Sequence, residues 1–225
     1  YVAKIDTASM AVEGYVKVGP NPDGITIANE RIYTADTDGM NWPSQSTRVS
    51  VVDINSFEFE KTITVSLNPN YIYSDSDGDV YVICMSDYSD DKSYIVQRID
   101  AKTDEVKTVE GIKAYKMTVA DDIAYIMFND YYANEVKYYK YDLKNEKLLS
   151  DNFITDGTVV SSPNGIGVDP VTGDIYVGKS NKKNNGDVYV FSSEGKLKSQ
   201  FETLPYLLKC VIRGTARACC NGIFW

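Results

Sequence analysis

The chain has 225 residues, a formal net charge of −9 and 43% hydrophobic residues. That acidity argues against a nucleic-acid backbone or an anionic membrane surface as partner, since both need a basic face. There is no histidine, which removes Ser-His-Asp and Cys-His catalysis and histidine metal sites.

The chain opens directly in strand-like sequence, "YVAKID" (1–6), with no signal peptide ahead of it, so the reading expects a natural start upstream. "VAKID" ends at Asp6 and sets up a repeat. "VSVVD" ends at Asp53, "IVQRID" at Asp100 and "YYKYD" at Asp142, and "VYVFS" puts Ser192 in the same place. The intervals are 47, 47, 42 and 50 residues. A short polar stretch and a further strand follow each mark: "EGYVKV", "EKTITV", "EVKTVE", "KLLSDNF", "KLKSQF". A third strand follows a proline or glycine in "NPDGITIA", "NPNYIYS" and "SPNGIGVD", with "IKAYKMTVA" in the remaining period. A turn then leads into a fourth: "NERIYTA", "DGDVYVIC", "DDIAYIMF", "TGDIYVGK". No stretch of 10 residues carries the helical period.

Four short strands per 40 to 50 residues mark a β-propeller blade rather than a sandwich. The fold class is therefore all-β, a propeller of four-stranded antiparallel blades. The strand after the proline or glycine is innermost (A), followed by B, C and the outermost D. Residues 1–18 are then strands C and D of a partial blade, with complete blades at 19–66, 67–110, 111–155 and 156–203. About four and a half blades are present, and the expectation is an incomplete seven-bladed propeller. The abundant tyrosine, 18 residues, agrees with this β-rich reading. No run of 18 apolar residues occurs, so no membrane span is expected.

"SDSDGDVYV" (74–82) looks like the head of a calcium loop, with Asp75, Asp77 and Asp79 two apart. An EF-hand loop needs Gly at position 6 and Glu at position 12. Counting from Asp75, those positions hold Val80 and Ser86. "DSDGD" aligns instead with the A-to-B turns of the other blades, and Asp77-Gly78 is a hairpin signal. No metal site is assigned.

The propeller reading covers residues 1–205. The tail, 206–225, breaks the pattern: it holds Lys209, Arg213 and Arg217, no acid, and Cys210, Cys219 and Cys220. It reads as foreign to the repeat. Cys84 falls in an apolar run and reads as a buried thiol. Cysteines crowded at one end do not form a disulfide framework.

The stretch "DNFITDGTVVSSPNGIGVDPVTGDIYVGKS" (151–180), followed by "GDVYVFSSEGKLKSQFET" (186–203), resembles the YncE-like, YVTN-type surface propellers of Bacteroidetes. Within that group it is similar to a domain family of unknown function. The resemblance spans residues 1–203 in pattern and is densest over 151–203. It implies a cell-surface location, as an outer-membrane lipoprotein in the full-length parent. It also implies non-enzymatic capture of a small-molecule ligand, a corrinoid of the vitamin B12 type or a glycan, with an outer-membrane transporter as a further partner. The sequence departs from that family in lacking a lipoprotein signal, some blades and a normal C-terminus.

Ligand-binding residues are expected on the propeller face built by the B-to-C and D-to-A loops. "DTDGMNWPSQST" (36–47) offers Asp36, Asp38, Met40, Asn41 and Trp42. "SDYSDDKS" (86–93) offers Asp87 and Tyr88, "NDYYANE" (129–135) offers Tyr131 and Tyr132, and "SNKKNNG" (180–186) offers Asn181. Aromatic rings beside acids and amides suit a corrin or a sugar face. The competing reading is that these rings pack their own loops. A second tier is Asn21, Asn68 and Asn164, in the turns that enter the inner strands. No cofactor and no catalytic residue is assigned. The inner strands carry no repeated acid that would hold a lactonase-type metal. A protein-interaction scaffold is the alternative function, and a metal-dependent hydrolase the third.

Overall fold

A computed structural model describes residues 1–87, 94–130, 135–179, 184–203, 210–212 and 218–220. The chain divides into two compact units, Tyr1–Lys113 and Ala114–Trp225. Every described element is a β-strand, bend or turn.

The first unit opens with a two-stranded sheet, β1 (Val2–Ile5) and β2 (Val12–Val16). One four-stranded sheet follows in the order β3 (Pro22–Ala28), β4 (Arg31–Asp36), β5 (Arg48–Asp53), β6 (Phe59–Thr64). Next come β7 (Pro69–Ser74), β8 (Val80–Cys84), β9 (Ile95–Ile99) and β10 (Val106–Lys113), again neighbours in chain order. The second unit holds β11 (Lys116–Ala120), β12 (Ile123–Asp130), β13 (Glu135–Asp142) and β14 (Lys147–Ser150). Its other four-stranded sheet is β15 (Pro163–Val168), β16 (Ile175–Lys179), β17 (Gly186–Phe191) and β18 (Leu197–Thr203). Each is an antiparallel meander, the four-stranded blade expected from the repeat.

In the tail, β19 (Cys210–Ile212) pairs antiparallel with β20 (Ala218–Cys220), and β19 lies against β15. Strand β10 runs to Lys113, past the expected blade boundary at 110, through a shift in its register with β9.

The repeat marks have a physical cause. Each aspartate stands at the end of strand C or just after it and turns its carboxylate onto the amides of the C-to-D turn. Asp53 accepts from the Asn55 and Ser56 N–H at 3.0 and 2.7 Å. Asp100 accepts from the Lys102 and Thr103 N–H at 3.0 and 2.9 Å. Asp6 accepts from Ala8 and Ser9, and Asp142 from Asn145. In the last blade the Ser192 hydroxyl accepts from the Glu194 and Lys196 amides. These bonds favour the charged form, so all four carboxyls sit below the usual value: hydrogen bonds from Ser9 lead for Asp6 and from Asn145 for Asp142, Ser56 and Thr103 amides for Asp53 and Asp100.

The acidic "DSDGD" is a turn of the same logic. Asp75 Oδ1 accepts from the Asp77 and Asp79 N–H at 3.1 and 2.9 Å. Asp79 is drawn to Arg98, bonded through both Nε and Nη2, and to the Ala101 amide. The carboxylates serve the turn and its neighbour.

Packing follows strand alternation. In the first unit Ala28, Tyr33, Val49, Val51, Ile63, Ile72, Val82, Cys84 and Ile99 form one core between the two complete blades. Gly24 lets β3 approach β7: a Cβ there would stand 2.4 Å from the Asn70 carbonyl oxygen. A second cluster joins Val2, Val16 and Val18 to Ile32 and Val52. In the second unit, Phe153 packs edge-on against Tyr125 and Tyr138, with ring centroids 5.6 and 5.3 Å apart. The Tyr138 hydroxyl donates to the Val160 carbonyl at 3.0 Å. Cys84 is fully buried, and burial pushes its thiol up to about 12, so it stays protonated at neutral pH.

Candidate functional site

Three inner strands start at a proline preceded by a residue in the left-handed region: Asn21 (φ 46°), Asn68 (φ 60°) and Ser162 (φ 52°). Asparagine tolerates that conformation, and proline fixes the next φ. These residues set the D-to-A loops at the same end of each blade as the B-to-C loops. In the first unit the two kinds of loop are bonded together. The Thr37 and Asp38 amides donate to the Asn21 and Pro20 carbonyls, both at 3.1 Å. The Asn68 amide donates to the Ser46 carbonyl at 2.7 Å, and Met85 N–H returns a bond to the Asn68 carbonyl at 2.9 Å.

On this frame Trp42 is 65% exposed, yet its indole N–H donates to the Asp87 carbonyl of the next blade at 3.0 Å. The bond fixes the ring while leaving much of its surface to solvent. Beside it, Asn41 Nδ2 reaches the Asp38 carboxylate at 3.3 Å and the Ser44 carbonyl at 3.1 Å. Met40 at the loop tip is 88% exposed. An acid, an amide, a ring and a thioether therefore share one loop.

The structure brings six of the expected residues into one loop layer: Asn21, Asp38, Asn41, Trp42, Asn68 and Asp87. Their roles differ. Asn21 is exposed, whereas Asn68 is fully buried and spends its Nδ2 on the Ser86 carbonyl at 2.8 Å. Asn68 is thus held inside the loop layer, away from solvent. Asn164 lies in the second unit, where its carbonyl accepts from Lys116 Nζ at 2.7 Å. Tyr88, Tyr131, Tyr132 and Asn181 lie outside the described residues.

Asp36, grouped in sequence with the acids of the exposed loop, is instead fully buried. It accepts from Ser50 Oγ (2.5 Å), Thr34 Oγ1 (2.9 Å) and the Gly19 amide (3.2 Å). Burial raises its carboxyl above the usual value, against the pull of those bonds and of Arg48. It joins the D-to-A loop to the blade's B and C strands. Gln97 does the same in the next blade, accepting from the Ser66 amide at 2.7 Å.

Gln45 and Ser46 belong to the same loop. Gln45 is 5% exposed, and neither its Nε2 nor its Oε1 has a protein partner. Ser46 Oγ and Asn68 Oδ1 share that state. Nothing in "PSQST" distinguishes a buried glutamine from an exposed one. No group of three or more acidic or cysteine side chains that could hold a metal ion occurs among the described residues. No described helix is long and apolar enough to cross a membrane.

No family model matches the chain, and no curated protein matches it. Solved structures do. Kuenenia stuttgartiensis hydrazine synthase matches with a TM-score of 0.63 at 15% identity, covering 85% of this chain and 56% of its own. The Dos1 propeller matches with a TM-score of 0.60 at 12% identity, covering 93% and 53%. A chain of the mitotic checkpoint complex matches with a TM-score of 0.55 at 10% identity, covering 80% and 49%. This chain therefore spans about half the length of those it matches. At such identities the likeness shows the β-propeller fold, and one of the three bears an enzyme's name.

Proposed function

We propose that this propeller is a non-enzymatic binding module whose ligand docks on the loop end of the first unit's two complete blades. One observation carries the reading: Trp42 presents an exposed ring whose position is fixed by its bond to Asp87. A ring immobilised before binding loses little entropy when a flat ligand stacks on it. Asp38 and Asn41 add polar partners at its side. That combination suits a sugar ring or a corrin, each flat and apolar on one face and polar at the rim. The resemblance to YncE-like surface propellers supports the same ligand classes, and with them a place at the cell surface. Protein interaction is the second reading, favoured by Met40 standing exposed beside Trp42, since both residue types are enriched in protein interfaces.

Calorimetric titration of the full chain with cyanocobalamin and with an oligosaccharide panel tests the proposal. Micromolar binding is expected for one of them, weakened at least about tenfold in Trp42→Ala, as for an aromatic anchor. Unchanged affinity in that variant would move the site away from Trp42. No binding by any ligand at millimolar concentration would leave the protein-interaction reading in its place.

A further inference from the structure

The Trp42 side chain is bracketed by two acids, one from each loop. The Asn41 amide closes a turn on the Asp38 carbonyl at 2.9 Å, and Asn41 Nδ2 meets the Asp38 carboxylate at 3.3 Å. Asp38 is thereby held beside the base of the tryptophan. At the other end, the indole N–H edge, stands Asp87. Its carbonyl takes that N–H at 3.0 Å, and Ser86 Oγ donates to its carboxylate at 3.4 Å. Both acids are half-buried, so their charges are screened less than those of fully exposed groups.

The donors around the ring are already used. The indole N–H goes to Asp87, and Asn41 Nδ2 has two hydrogens and two acceptors, Asp38 and Ser44. A carboxylate only accepts. Among the described residues neither loop adds a cation: 36–47 holds no lysine or arginine, and neither does 85–87. Residues 88–93, outside the described ones, contribute two aspartates and one lysine, so that loop stays acidic in balance. Arg48, next in the chain, turns its guanidinium to Thr62 Oγ1 of β6 at 3.5 Å.

Such a frame selects by charge and by hydrogen-bond type. A ligand rim bearing a carboxylate or phosphate would face two like charges. An ammonium brings three donors and no acceptor, which is what two carboxylates beside spent donors call for. It is also drawn to the negative face of an indole.

Building on the stacking reading above, we infer that the ligand is an amino sugar whose amine is unacetylated and protonated. Its apolar face lies on Trp42. Ammonium groups on successive rings donate to Asp38 at one end of the indole and to Asp87 at the other. Trp42 is the anchor, and the two acids set the specificity.

The test is calorimetric titration of the full chain with two tetrasaccharides at mildly acidic pH. One is the glucosamine tetramer with unacetylated amines, and the other is its N-acetylated form, which has the same rings without the charge. The charged sugar is expected to bind at least about tenfold tighter, as for one charge-assisted contact. Asp38→Asn keeps a residue that tolerates the positive φ of 49°, and Asp87→Asn leaves the carbonyl that holds the ring. Each substitution narrows the ratio of the two affinities, and the double variant brings it to within about twofold of unity. Equal affinities in the parent chain, or a ratio unchanged in the double variant, would overturn the inference and leave the stacking reading standing. Loss of both sugars in Trp42→Ala supports the shared anchor. Failure of both to bind the parent chain at millimolar concentration would overturn the inference, and if no other flat ligand bound either, the stacking reading with it.

Discussion

The two ends of the blades in the first unit satisfy their polar groups differently. At the C-to-D turns the bonds that shape the turn are local: Asp6, Asp53 and Asp100 hold amides two or three residues away, and longer bonds, Asp79 to the Ala101 amide and Lys61 to Asp104, are added to them. At the loop end they reach across blades and loops, from Trp42 to Asp87, from Asn68 to Ser86 and from Gly19 to Asp36. Local bonds can be closed by any copy of the repeat and carry no information about a partner. Bonds made at a distance leave remainders, here the unpartnered atoms of Gln45, Ser46 and Asn68 and the exposed Trp42 ring. Among the described residues most of these unpartnered atoms stand at the loop end, with Asp104 Oδ1 at the other, as expected of loops set on a rigid scaffold.

The largest effect is expected from Asp36→Ala. It takes a buried acceptor from two hydroxyls and from the Gly19 amide, which keeps only Ser50 Oγ at 3.2 Å, and should cost about 2–3 kcal/mol, read from the denaturation midpoint. A cost as small as that of a turn aspartate would break the distinction between the two ends. Next is Asn68→Ala, which loses the bond to Ser86 and puts a less tolerant residue at positive φ. A loss of about 1–2 kcal/mol is expected, with Asn68→Gly recovering the backbone part.

Asp53→Ala should lower the midpoint less than either, and its effect should depend on pH. The folded state holds the Asp53 carboxyl below its usual value, so the stability it gives is present above the unfolded pKa, near 4. That stability is lost as pH falls through the folded pKa. Asp36 runs the opposite way: its raised folded pKa contributes stability below the unfolded value, lost as pH rises through the folded one. Unfolding followed between pH 2 and 6 should therefore show a shallower acid limb in Asp53→Ala. Asp36→Asn should steepen net acid loss by removing the opposing term. The smallest change is expected from Trp42→Ala, whose stability should stay within about 0.5 kcal/mol of the parent because the ring is largely in water. A larger loss would make Trp42 a packing residue and sharpen the comparison against the proposed function.

The blade was legible because its marks are local. An aspartate closing a turn, a proline opening a strand and a tyrosine in an alternating run each act within a few residues, so each leaves a trace at constant spacing. "DSDGD" was assigned to a turn for the same reason, and the structure shows Asp75 closing it. The loop layer was only partly legible. Trp42, Asp38 and Asn41 stand out by residue type, and they do meet. Asn68, in the same kind of Asn-Pro turn as Asn21, is buried while Asn21 is exposed, because Asn68 lies between Ser46 and Ser86 of two loops distant in sequence. Asp36 was misplaced among exposed acids because its partners, Gly19 and Ser50, are 17 and 14 residues away.

By itself, then, the sequence determined the four-stranded unit, the order of its strands and the turns that join them, since those depend on alternation and on contacts a few residues long. Tertiary structure alone decided which identical residues are covered. Ile72 lies beneath a neighbouring strand and Ile25 does not. Burial belongs to the pair of surfaces that meet, and one strand's sequence carries only its own half of that pair.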